Sequence, residues 1–163
     1  MKRFMAVVAM TTLVFACASV SAQSKTSFAG KWTMLPDLNT AAAGGGGRGM
    51  AGGLGPELTA AQDDKTLTIT TNNPQLGEVK TVYNLDGSES KNPINFGGQT
   101  VDRISKVKWD GAKLVITTTI NVNGNLAEST QTWMLDGSGN LVIESSSNFT
   151  GTPTTAKFTY KKN

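Results

Sequence analysis

Apolar and polar side chains alternate along most of the chain after residue 58. In residues 156–161, AKFTYK, Ala156, Phe158 and Tyr160 alternate with two lysines and a threonine. A period of two with many β-branched residues is typical of strands that bury one face. The pattern predicts strands at 28–34, 57–62, 66–71, 79–85, 100–109, 113–122, 126–135, 140–149 and 155–161.

Residue pairs that tolerate positive φ separate these strands: Asp86-Gly87, Asp110-Gly111, Asn123-Gly124, Asp136-Gly137 and Thr150-Gly151. From Asp110 onward the pairs recur every 13 or 14 residues, a spacing with no room for crossover helices. The sequence therefore predicts an all-β, antiparallel up-and-down meander that closes into a barrel of roughly eight strands. A sandwich of two sheets is the alternative.

The first 22 residues have the composition of a secretion signal. Two basic residues precede the apolar run 4–18, and residues 20–22, Val-Ser-Ala, have the small side chains that signal peptidase requires. We therefore expect cleavage after Ala22 and a periplasmic or secreted bacterial protein. Attachment of a lipid at Cys17 is the alternative, and we favour it less.

Cleavage at this site would leave one domain, residues 23–163. Removing 22 of the 163 residues leaves 141, which is enough for one hydrophobic core. The basic count falls from 15 to 13 against 12 acidic residues, so the net charge becomes +1. The charges are scattered, so we expect no nucleic-acid partner. We also expect no membrane span and a monomer.

The residue types that most often carry catalysis are missing. Histidine is absent, and the single cysteine lies in the predicted signal. We therefore expect no metal site, no cofactor and no enzyme. Several aspartates lie in predicted turns, where this residue type binds its own backbone: Asp63, Asp64, Asp86, Asp110 and Asp136.

Residues 41–56 are rich in glycine, and Gly44, Gly46 and Gly49 have the spacing of a dinucleotide-binding loop. Such a loop delivers its glycines to the start of a helix, which residues 50–56 are too rich in glycine to form. We therefore expect a flexible loop that binds no nucleotide.

Residues 30–32, Gly-Lys-Trp, lie on the first predicted strand. A Gly-x-Trp at this place resembles the start of lipocalins and related calycin barrels, and avidins begin in a similar way. The resemblance implies structural roles for Gly30 and Trp32, with the tryptophan closing one end of the barrel. In such barrels an arginine or lysine often stacks on the indole, and Arg103 is one candidate for this position.

The rest of the chain resembles a family of small secreted bacterial proteins described as lipocalin-like. The resemblance rests on the segments TVYNLDGSES, SKVKWDGAKLVITTT, ESTQTWMLDGSGNLVIE and TTAKFTYKK, together with the glycine-rich insertion after the first strand. It implies a lipocalin-like barrel in an exported protein, and it implies no activity.

Inward-facing side chains of such a barrel are the candidate ligand-binding residues: Tyr83, Arg103, Trp133 and Tyr160. The sequence leaves open whether they line a cavity or fill the interior. We expect non-catalytic binding of a small apolar or amphipathic molecule. The alternative is a cell-envelope interaction module that works through its surface loops, which are the glycine tract and residues 92–100.

Overall fold

The computed structural model describes residues 25–41, 54–73, 77–96, 98–148 and 153–163. The predicted signal peptide, most of the glycine-rich tract and the Thr150-Gly151 turn lie outside the described residues. The described strands are β1 (Gly30–Met34), β2 (Thr40–Ala41), β3 (Glu57–Gln62), β4 (Thr66–Asn73), β5 (Gly77–Asn84), β6 (Ser90–Phe96), β7 (Gln99–Asp110), β8 (Lys113–Val122), β9 (Asn125–Leu135), β10 (Leu141–Ser147) and β11 (Thr154–Lys162). One 3₁₀ turn, Pro36–Leu38, follows β1.

The strands form one antiparallel sheet in the order β5-β4-β3-β1-β11-β10-β9-β8-β7-β6, with the short β2 added to β11. The first and last long strands meet because β1 pairs with β11, which places Trp32 opposite Lys162. The predicted all-β antiparallel meander is therefore confirmed, and the sheet curls into a nearly closed barrel. Ten strands run around it in the described part of the chain, so the expected number of eight was wrong.

One of the additional strands is β6. Residues 92–100 were expected to form a loop, but residues 90–96 pair with β7 along their whole length, from Ser90 opposite Ser105 to Phe96 opposite Gln99. Pro93 and the neighbouring asparagines are unfavourable in central strands, which is why the pattern there indicates a loop. The residues are tolerated because β6 stands at one end of the strand order, where proline is permitted.

The tight turns follow the predicted chemistry with one correction. Gly87 has φ +87°, and Asn123 and Gly124 have φ +53° and +84°, so these pairs adopt the left-handed backbone that hairpins require. After Asp136 the positive φ falls on Gly139 rather than on Gly137. The Asp136 carboxylate accepts backbone hydrogen bonds from Ser138 and Asn140, at 2.8 and 2.9 Å, and so supports a longer turn.

The alternation of side chains divides the sheet into an inner and an outer face. On β8, for example, the buried residues Leu114, Ile116 and Ile120 face inward, and Val115 and Thr117 face outward. Cross-strand partners share a face, so the strand register carries this assignment around the barrel. In the described part of the chain no helix is long and apolar enough to cross a bilayer.

Candidate functional site

One end of the barrel interior is filled with packed apolar side chains. Phe28, in the segment before β1, stacks on Trp109 with ring centroids 6.2 Å apart and meets Trp133 edge-on at 5.9 Å. The Gln62 side chain holds this segment in place: its Oε1 accepts from the Phe28 amide at 2.8 Å, and its Nε2 donates to the Thr26 carbonyl at 3.0 Å. The segment therefore plugs this end, which we call the packed end.

Trp32 belongs to the packed end, as the Gly-x-Trp resemblance implies. It is 1% exposed, and its indole Nε1 donates to the Phe28 carbonyl at 2.9 Å. The cation over its ring is Lys162, whose Nζ lies 5.5 Å from the ring centroid. Arg103 does not stack there, so the expected pairing was wrong. The register explains the difference, because β1 and β11 are neighbours and place Trp32 directly opposite Lys162.

Gly30 leaves room for this lysine. A Cβ at position 30 would lie 2.6 Å from the Lys162 Cε, and the backbone there has φ +147°. Both the close approach and the backbone conformation favour glycine. The motif therefore has a local physical reason: glycine lets the lysine side chain cross the strand and reach the indole.

Three of the four predicted ligand-binding residues lie in the packed core. Trp133 and Tyr160 are fully buried, and Tyr83 is 5% exposed. The Tyr160 hydroxyl donates to the Gly55 carbonyl at 3.1 Å, and the Trp133 indole Nε1 donates to Gln131 Oε1 at 3.0 Å. Burial raises the pKa of both tyrosines, so both remain neutral phenols at neutral pH.

Beyond the packed end the inner wall becomes polar. The register aligns hydroxyl side chains from six neighbouring strands in one continuous inward-facing row, which we call the hydroxyl row: Ser90, Ser105, Thr118, Ser129, Ser147 and Thr154. Ser105 and Thr118 share a hydrogen bond of 2.8 Å. On the packed-end side of the row, Ser145 is 4% exposed and its Oγ has no hydrogen-bond partner in the described residues. The interior is therefore amphipathic along its length.

Arg103, the fourth candidate, faces this polar part. It is the residue before Ser105 in the inward series of β7, and it lies opposite Ile120 of β8 and Asn92 of β6. Its Nη2 donates to Thr81 Oγ1 of β5 at 2.9 Å. Among the described strand residues, Arg103 and Lys162 are the only charged side chains at inward positions, and Lys162 is at the packed end.

The strands β5 and β6 stand at the two ends of the strand order, and we call the junction between them the seam. Side chains bridge the seam in place of a backbone ladder. The Asn92 amide bonds to both backbone groups of Val82: its Oδ1 accepts from the amide at 2.8 Å, and its Nδ2 donates to the carbonyl at 2.9 Å. Ser90 Oγ accepts from the Asn84 amide at 2.7 Å. Side-chain hydrogen bonds thus close the seam near the turn that joins β5 to β6. None of the residues Thr81, Ser90 and Asn92 was predicted from the sequence to have this role.

The end of the barrel away from the packed end is accessible to water. Five apolar inward residues beyond the hydroxyl row are half-buried although they face the barrel axis, while Ile120, next to the row, is buried: Val79, Ile94, Val101, Val122 and Ala127. At the other end the members of the apolar cluster are 0–5% exposed, and the partly buried Trp109 and Phe158 pack against them. The contrast shows a closed half and an open half of the interior.

A separate hollow of about 520 Å³ lies on the wall formed by β1, β3 and β4. Most of its lining residues face outward, and they are polar: Lys31, Glu57, Thr59, Thr70, Asn72 and Glu78. It therefore lacks the apolar lining of a site for apolar molecules.

Three of the five turn aspartates have the expected structural role: Asp63, Asp86 and Asp136. Asp63 accepts from the Lys65 and Thr66 amides, and these bonds lower its pKa. Bonds from Ser88 lower the pKa of Asp86, and bonds from Asn140 lower that of Asp136. The described residues contain no group of three acidic, histidine or cysteine side chains arranged to hold a metal ion.

No protein-family model matches the chain, and no curated protein matches it in sequence. The fold does match a solved structure, the zebrafish ileal bile acid-binding protein complexed with cholic acid. The TM-score is 0.56 with 22% sequence identity, and the match covers 83% of this chain and 98% of the zebrafish chain. The fold is therefore a calycin-like barrel, of the architecture found in that bile acid-binding protein.

Proposed function

We propose that this chain is a non-catalytic, exported binding protein that holds a small apolar or amphipathic molecule inside the barrel. The observation that supports the proposal most is the division of the interior. Val79, Val101 and Ala127 face the axis, remain partly accessible and do not belong to the packed apolar cluster, whereas the half-buried Trp109 and Phe158 of the packed end pack against that cluster. The open half therefore offers a concave surface that combines apolar groups with the hydroxyl row.

The matching structure supports the same proposal. That protein was crystallised with cholic acid, an amphipathic molecule, and the two chains share their barrel architecture. Fold alone does not establish function, so the proposal depends on the inner wall of this chain. The alternative, an envelope module acting through loops, loses one of its two expected contact loops because residues 90–96 are strand β6.

A neutral fluorescent probe, phenylnaphthylamine, tests the proposal. The wild-type protein should enhance its emission and saturate at one site. Ser129→Phe adds a ring to the inner wall, whereas Thr130→Phe adds the same ring to the outer face of the same strand. We expect Ser129→Phe to weaken probe binding at least tenfold and Thr130→Phe to leave it within about twofold.

Two results would contradict the proposal. The first is a wild-type protein that does not bind the probe and that carries no small molecule in native mass spectrometry after purification from its own periplasm. The second is equal loss of binding in the two phenylalanine variants, which would place the probe elsewhere. Thermal unfolding of each variant shows whether the barrel itself survives the substitution.

A further inference from the structure

Arg103 is a cation on the inner wall that has no counter-ion among the residues the structure describes. The charged side chains on the described strands face outward with two exceptions, Arg103 and Lys162. Lys162 is exposed at the packed end and lies over Trp32. Arg103 is half-buried in the polar part of the interior, and no carboxylate of the described residues forms an ion pair with it.

The immediate surroundings of Arg103 do not neutralise it. Its hydrogen bond within the described residues goes to the neutral hydroxyl of Thr81. The nearby Tyr83 remains a neutral phenol, because burial raises its pKa more than the positive charge of Arg103 lowers it. A cation kept partly out of water without an anion is costly, so an anion that enters the barrel would recover that energy.

The guanidinium has the geometry for such an anion. It carries five N–H donors in a planar fork, which suits two oxygens of an acid group, and the bond to Thr81 uses one of these donors. The hydroxyl row passes one inward position away, at Ser105, and offers further hydroxyl groups. On the other side, Ile120 lies directly opposite Arg103 and supplies an apolar wall.

We propose that the molecule held in the barrel is an amphipathic organic acid, whose acid group binds Arg103 and whose apolar part lies against Ile120 and the open half. This inference rests on the proposed function and refines it. The shared chemistry is an oxyanion on an apolar frame, which a carboxylate or a sulfonate satisfies. A neutral amphiphile of the same frame should bind more weakly, because it leaves the charge of Arg103 unpaired.

Two dyes with the same ring system separate the acid group from the frame. Anilinonaphthalene sulfonate carries an anion, and phenylnaphthylamine does not. Wild-type protein should bind the sulfonate more tightly. Arg103→Gln should weaken sulfonate binding about tenfold or more, as expected for loss of a charge-assisted hydrogen bond, and should leave the neutral dye within about twofold.

A second pair of variants tests the charge without removing Arg103. Ile120→Glu places a carboxylate opposite the guanidinium, and Ile120→Gln is its neutral match. The glutamate should act as an internal counter-ion and reduce sulfonate binding about tenfold relative to the glutamine. This comparison tests the role of the positive charge even if Arg103→Gln unfolds, since both variants at position 120 lose the same apolar side chain.

Competition identifies the acid group. Decanoate and decanesulfonate should each displace the neutral dye from wild-type protein at lower concentration than decanol does, and Arg103→Gln should remove this preference. If the wild type binds the neutral dye but shows no preference for the acids over decanol, the acid inference is overturned while the proposed function stands. If neither dye binds the wild type, the proposed function itself is overturned.

Discussion

The seam offers the sharpest test of how this barrel closes. Asn92 is 6% exposed and replaces a backbone pairing with two side-chain bonds to Val82, of 2.8 and 2.9 Å. Asn92→Ala removes both bonds and leaves a half-buried N–H and C=O with poor access to water. A net hydrogen bond contributes about 0.5–1.5 kcal/mol, and an unsatisfied buried partner costs about 1–3 kcal/mol. We therefore expect a loss of about 2–3 kcal/mol of unfolding free energy.

The assay is urea unfolding followed by tryptophan emission and far-ultraviolet circular dichroism. For a domain of this size the loss corresponds to a Tm lowered by about 6–12 °C. Hydrogen exchange should also rise at the Val82 amide, because that amide loses its acceptor. Lys91→Ala is the matched control, since Lys91 is the exposed neighbour on the outer face of the same strand.

The contrary result is a free energy of unfolding for Asn92→Ala within about 0.5 kcal/mol of that for Lys91→Ala, together with unchanged hydrogen exchange at the Val82 amide. That result would mean that the hairpin and the β6–β7 ladder hold the seam without the amide.

Three further predictions concern the packed end and the turns. Gly30→Ala should lower the free energy of unfolding in urea by about 1–3 kcal/mol because of the positive φ at position 30. Adding Lys162→Ala should relieve the close approach between the new Cβ and the lysine side chain without restoring wild-type stability. Burial raises the pKa of both tyrosines of the chain, so stability should be full below about pH 10 and fall as the pH rises further, with phenolate absorbance appearing only as the protein unfolds. Hydrogen bonds from Asn140 lower the pKa of Asp136, so the stabilisation from its carboxylate is present above about pH 4 and is lost as the pH falls. Asp136→Ala should therefore make the urea midpoint depend less on pH on the acid side, and an unchanged pH dependence would contradict this.

Much of the fold follows from local pattern. Alternation identifies the strands β3, β8 and β11 because one face of each is buried, and the pairs at Asp110 and Asn123 identify hairpins because their backbone needs positive φ. Alternation fails at β6, where the strand is held by β7 on one side and by side chains across the seam on the other. A strand of that kind needs no β-branched residues, so its sequence resembles a loop.

The site was less predictable because it depends on register between distant segments. The alternation alone places Ser105 on the same strand face as the apolar Val107, and Ser145 on the same face as Ile143. Inward hydroxyls could therefore have been read from the alternation. The alternation could not show that Lys162 rather than Arg103 lies over Trp32, because only the pairing of β1 with β11 determines this contact.

The position of a bound molecule is the most direct test of binding inside the barrel. Nuclear Overhauser effects between phenylnaphthylamine and the methyl groups of the protein locate the probe in solution. The account predicts contacts to Ile120 and Val101, which face the interior. Contacts confined to Thr59 and Thr70, in the hollow on the outer wall, would contradict the claim that the barrel binds its ligand inside.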